Sequence, residues 1–172
     1  EGNLTVHLLR SYVARETEFL WLQRQAIPLA NTVAADVVVA QSPVFGGIAG
    51  AAIKKRRKCG LLIELHSDAY FADAHFGSKL WLLQAMTKRV LRKADTIRAL
   101  TARMAQNVAT RYGSDLSERV VVLPPRVDLT RFEPKANFCS QAGRLKVIIV
   151  GSLVPRKQQL RFLDVVLRSR LN

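Results

Sequence analysis

Four short apolar runs, Asp36–Ala40, Leu61–Leu65, Thr96–Leu100 and Arg119–Leu123, are separated by segments long enough to be helices. No other feature restricts the fold as much. A strand with one face in water alternates apolar and polar side chains, and Val37-Val38-Val39-Ala40 does not. That run is expected to be buried on both faces, as in a parallel sheet covered by helices. Between the runs, helices are expected from about Ile48 to Lys58, Lys79 to Lys93 and Ala102 to Tyr112. Strands alternating with helices predict right-handed crossover units, and hence an α/β fold with a doubly wound parallel sheet.

The flanks extend the pattern. Leu4–Leu9 reads as a strand. The segment Arg15–Ala30 reads as a helix, with Phe19, Leu20, Leu22 and Ile27 at helical spacing and Pro28 bending or ending it. The basic run Lys54-Lys55-Arg56-Arg57-Lys58 suits the negative end of a helix dipole, and Gly60 reads as the stop. Thr101 is placed to cap the helix after it, and Gly113 to close that helix. Pro124-Pro125 forces the chain out of the sheet, because neither proline can donate a ladder hydrogen bond. A polar linker at 136–144, with Ser140, Gln141 and Gly143, then precedes a fresh strand, Leu145–Val150, and a helix. The expected organisation is one domain over 1–135 and the beginning of a second over 145–172.

Composition narrows the function. In 172 residues there are 27 Lys+Arg against 13 Asp+Glu, a formal charge of +14, which calls for an anionic partner: phosphate, a membrane surface or nucleic acid. Cys59 and Cys139 lie far apart without metal spacing, so a reducing compartment is expected rather than a disulfide framework. No apolar run approaches the roughly 20 residues that span a bilayer. No bound metal is expected either: Asp68, Asp73 and His75 fit no helix-face ligand spacing.

Ligands of such sheets bind beyond the carboxyl ends of the strands. The segments to inspect are therefore 41–47, 66–78, Thr101, 124–128 and 151–157. Gly151-Ser152-Leu153-Val154-Pro155-Arg156-Lys157 stands between an expected strand and a helix, where backbone N–H groups and a lysine can hold phosphate. Gly46-Gly47 with Gly50 matches neither a dinucleotide fingerprint nor a P-loop.

Several of these segments resemble the family-4-like glycosyltransferases of two Rossmann-like domains (GT-B). Leu123–Phe132 is similar to that family's junction, Pro-Asn-Gly-Val-Asp, three residues, then Phe, with Pro125 and Arg126 in place of Asn and Gly. The 151–157 loop is similar to its Gly-Arg-Leu, three residues, Lys-Gly, with Ser152 for the Arg and Gln158 for the second Gly. His66-Ser67-Asp68 resembles its His-Gly or His-Asp after a buried strand. Ala94-Asp95 through Thr101 and Gln41-Ser42 with Phe45-Gly46-Gly47 match further family segments, Gln41 replacing a His.

The resemblance implies a retaining transferase whose donor is a nucleotide-diphosphate sugar, with no other cofactor. It implies a catalytic role for His66 beside the donor sugar, and donor-diphosphate contacts at Gly151, Ser152 and Lys157, with Arg126 supplying the charge absent at Ser152. Asp68, Asp73 and His75 fall in the loop expected to touch a lipid-linked or glycan acceptor. Relative to the family, the opening strand with its Gly-Gly loop and the later Glu-x7-Glu pair are missing. The expectation is a piece that does not transfer sugar alone. A cytoplasmic protein working at the inner face of the membrane is expected, with membrane contact through Trp81, Leu82, Lys88, Arg89 and Arg92, an aromatic and a leucine on a basic helix face. Two alternatives stay open: a basic nucleic-acid-binding module, against which stand the 7% aromatic content and the lack of a recognition motif, and a degenerate sugar-nucleotide fold without activity.

Overall fold

The computed structural model describes residues 5–9, 18–66, 80–132, 147–153 and 157–169. The chain divides into two compact units, Glu1–Arg126 and Val127–Asn172, with the boundary inside the Leu123–Phe132 stretch. The expected linker lies outside the described residues.

In the first unit the order is α1 (Glu18–Thr32), β1 (Val37–Ala40), α2 (Gly47–Arg57), β2 (Gly60–Leu65), α3 (Leu80–Leu91), β3 (Thr96–Ala99), α4 (Ala102–Tyr112) and β4 (Val120–Val122). The strands form one parallel sheet in the order β1-β2-β3-β4. This is an α/β Rossmann-like fold. Each strand is added on the same side of the last, so right-handed crossovers send α2, α3 and α4 to one face. Leu61, Ile63 and Leu65 of β2 and Ile97 and Ala99 of β3 pack there with Ala51, Val90, Leu91, Met104 and Val108 in a single buried cluster.

Close approach is what the first glycines provide. A Cβ on Gly47 would stand 2.7 Å from Val90 Cγ1 and 3.1 Å from Ile63 Cδ1, so only glycine lets α2 seat against both α3 and β2. Thr101 caps α4 as expected, its hydroxyl accepting from the Met104 N–H at 3.2 Å. Gly113 ends that helix at φ 129°, a conformation that side chains disfavour.

Several expectations are corrected. β1 is not buried on both faces: Val38 and Ala40 meet the helices, while Val37 and Val39 are each 57% exposed. Among the described residues, the helices that pack on the sheet cover only one face of it. An N-terminal strand was expected at Leu4–Leu9, but residues 5–9 join no strand of the sheet. Pro28 neither bends α1 sharply enough to break it nor ends it; the helix runs on to Thr32. The cap of α2 is Lys58, not Gly60: it adopts the left-handed conformation at φ 56° and bonds back to the Lys54 carbonyl, while Gly60 already begins β2.

In the second unit Asp128 caps a single 3-10 turn, Leu129–Arg131, accepting from the Thr130 N–H at 3.1 Å and its hydroxyl at 2.6 Å. These two bonds, the hydroxyl's first, hold its carboxyl below the ordinary Asp range. The helix α5 (Gln159–Arg168) is present. Val147–Val150, where a strand was expected, has no ladder partner among the described residues. A single strand cannot satisfy its own backbone groups.

Candidate active site at the carboxyl edge of the sheet

Residues at the carboxyl ends of β1 to β4 share one edge of the first unit. In register, Leu65 lies opposite Ala99, and Ala99 opposite Val122, so His66, Leu100 and Leu123 each leave the sheet at about the same level. Gln41 is exposed at the end of β1. The loop after it is built by Ser42, whose carbonyl accepts from the Gly47 N–H at 2.7 Å and whose hydroxyl accepts from the Phe45 N–H at 2.9 Å.

His66 is the sequence-expected residue that the structure places in a polar cluster. Its side chain is 44% exposed. Its Nε2 lies 3.0 Å from Glu64 Oε2, and the other carboxylate oxygen receives Arg98 Nη1 at 2.5 Å. Glu64 and Arg98 are directly opposed across β2 and β3, and His66 follows Glu64 by two residues, the repeat that returns a strand to the same face. Arg98 also donates through Nε to the Leu123 carbonyl at 3.0 Å and through Nη2 to the Pro124 carbonyl at 3.4 Å, where the chain leaves β4. Glu64 is only 8% exposed. The hydrogen bond from His66, and next that from Arg98, hold its carboxyl below the ordinary Glu value, against the opposing effect of burial.

Sequence reasoning missed Glu64 and Arg98, because each lies inside an otherwise apolar run. The available signal was one acid and one base, singly placed in two successive apolar runs.

Arg126 is exposed and closes the first unit, whereas Gly151, Ser152 and Lys157 belong to the second. There the Ser152 carbonyl accepts from Gln159 Nε2 at 2.9 Å, so α5's first residue fastens the loop. Gln158 has φ 54° and ψ 29°, the left-handed conformation that glycine adopts without cost. Asp68, Asp73 and His75 lie outside the described residues. Trp81 and Leu82 are 69% and 46% exposed on α3. A concavity of about 560 Å³ on the same helix is lined by Ala85, Met86, Lys88, Arg89, Arg92 and Lys93. It contains none of the residues of the His66 cluster.

Asp95 has a structural task. It accepts from Lys54 Nζ at 2.6 Å and from the Leu61 N–H at 2.8 Å, tying α2 and the start of β2 to the turn before β3. The Lys54 bond first, then the Leu61 bond, lower its pKa. Among the described residues no group of His, Cys, Asp and Glu is arranged to hold a metal ion.

A family model for Glycosyltransferase Family 4 matches residues 4–131, which include the sheet and the whole His66 cluster. The chain belongs to glycosyltransferase family 4. A curated relative of this family 4 chain, the D-inositol 3-phosphate glycosyltransferase of Nocardia farcinica (strain IFM 10152), is 33% identical over 84 residues, or 48% of this chain. The match spans 18% of that relative's length.

Proposed function

We propose that the chain forms the acceptor-side domain and the start of the donor-binding domain of a GT-B transferase. The enzyme moves a sugar from a nucleotide-diphosphate donor to a lipid-linked or glycan acceptor with retention of configuration. Family membership over residues 4–131 carries this reading, and a polar, half-exposed His66 at the carboxyl edge supports the location. In the reaction the bond from the sugar carbon to the diphosphate oxygen breaks, the acceptor oxygen bonds to that carbon on the same face, and the acceptor proton leaves with the diphosphate. The main catalytic contribution is stabilisation of the departing charge. Gly151 and Lys157 are assigned to the diphosphate, with Arg126 as the candidate for the cation that Ser152 does not supply. His66 is assigned to the donor sugar.

The test is kinetics on the full-length protein with a panel of nucleotide sugars. Lys157→Ala is expected to raise the donor KM about tenfold and to slow transfer, since one charge-assisted hydrogen bond is worth roughly 1.5 to 3 kcal/mol. His66→Ala is expected to lower mainly kcat. Wild-type turnover in His66→Ala would return His66 to a structural role, and a product of inverted anomeric configuration would end the retaining assignment.

A peripheral membrane site is the second part of the proposal, supported by the exposed Trp81 and Leu82 with Lys88 and Arg89 on α3 and Arg92 in the turn after it. The nucleic-acid alternative loses two of the five cations of the basic run. Lys54 is committed to Asp95 and to the Lys93 carbonyl, and Arg57 to the carbonyls of Asn31 and Val33.

A further inference from the structure

We infer that Glu64 and Arg98 are positioning residues for His66, fixing which ring nitrogen carries the proton and how the ring is turned; the inference rests on the assignment of His66 to the donor sugar. Glu64 is held in its ionised form, and an ionised carboxylate only accepts hydrogen bonds. Both of its oxygens are in use, Oε1 by Arg98 and Oε2 by His66 Nε2. The proton between Glu64 and a neutral His66 must therefore sit on Nε2, which leaves Nδ1 as the ring nitrogen with a lone pair for a substrate hydroxyl.

Arg98 completes the device. Opposite Glu64 in the register, it presents one guanidinium edge to the carboxylate and fixes itself through two carbonyls of the β4 exit, Leu123 and Pro124. The imidazole is thus referenced through two side chains to the backbone of three strands. A planar fork makes these bonds together, and a lysine at 98 could reach the carboxylate but not hold both carbonyls in the same geometry. Outer partners of this kind, which orient a reacting group without touching substrate, are worth roughly 10- to 100-fold when the group they orient must be placed to within about 1 Å.

The experiment has two arms. In the 172-residue chain, long-range ¹⁵N spectra of the neutral His66 ring, assigned with His66→Asn, are expected to show Nε2 as the protonated nitrogen in a single tautomer. A ring protonated on Nδ1 would overturn the inference whatever the activity. In the full-length protein, Glu64→Gln and Arg98→Lys are expected to lower kcat roughly 10- to 100-fold with the donor KM within about twofold. In a His66→Ala background the same substitutions should cost nothing further, which a merely structural role for Glu64 would not produce. Lowered turnover in His66→Ala with wild-type turnover in Glu64→Gln and Arg98→Lys would overturn the positioning roles and leave the assignment of His66 intact. Wild-type turnover in His66→Ala would overturn both.

Discussion

Among the described residues, two non-glycine residues in left-handed backbone, Lys58 and Gln158, hold local strain. Side chains in that conformation cost about 1 to 2 kcal/mol through the clash of Cβ with the following carbonyl. Lys58 bears it to close α2, its N–H bonding the Lys54 carbonyl, so Lys58→Gly is expected to stabilise the protein by ~1 kcal/mol. The same change at Lys55, inside the helix, should destabilise by a similar amount. Urea unfolding of the two variants checks the pair, and equal shifts in one direction would show that the cap is not strained. Gln158 stands where the resembled pattern has glycine, and its φ of 54° explains the glycine. The residues of the site were legible to unequal degrees. His66 could be found because it ends an apolar run, the place where a parallel sheet binds ligands. Glu64 and Arg98 could not be joined to it, because their opposition depends on strand register, and register is set by packing that no single strand encodes.

At the scale of elements, apolar runs and helical spacing were enough to locate β2, β3, β4 and α4, although β4 is apolar throughout and still leaves Val121 and Val122 exposed. β1 misled for a physical reason: three consecutive valines are expected inside a covered sheet, yet Val37 and Val39 lie on the face that the described helices leave open. α3 was legible on both sides. Thr87, Val90 and Leu91 are buried in the unit, while Trp81, Leu82 and the basic residues face outward. Among the described residues no acid pairs with Lys88 or Arg89, and no helix is long and apolar enough to cross a membrane. An apolar tip beside unpaired cations is suited to lie on anionic lipid. Sedimentation with vesicles containing anionic lipid should pull down the wild type, and Trp81→Ala with Lys88→Glu should lose most of that binding. Raised salt should weaken what remains, since the charge contribution is screened. Equal sedimentation of both proteins would remove α3 from the membrane.

For the whole molecule, the two carboxylates that join elements across the sheet make acid the informative perturbation. Glu64 links β2 to β3 and Asp95 links α2 and β2 to the turn before β3. Both have folded pKa values depressed below their ordinary 4.5 and 3.8. A depressed carboxylate contributes its full stability above the unfolded value and loses it as pH falls through the folded one. Their contribution is therefore expected to be level above about pH 4.5 and to decline below it. The formal charge of +14 rises as carboxylates are neutralised, so self-repulsion acts in the same direction. The two groups separate by exposure. The Asp95 side chain is 54% exposed and its pairing with Lys54 is open to screening by salt, whereas the Glu64 and Arg98 side chains are 10% and 22% exposed and their pairing is screened less. Urea midpoints measured from about pH 7 down to about pH 3 should fall below pH 4.5 in the wild type. Glu64→Gln should start less stable at neutral pH and fall less steeply. Added salt at neutral pH should bring the wild type closer to Asp95→Asn while leaving its difference from Glu64→Gln. Parallel pH curves for wild type and Glu64→Gln would mean that the Glu64 carboxylate is not among the groups whose protonation unfolds the sheet.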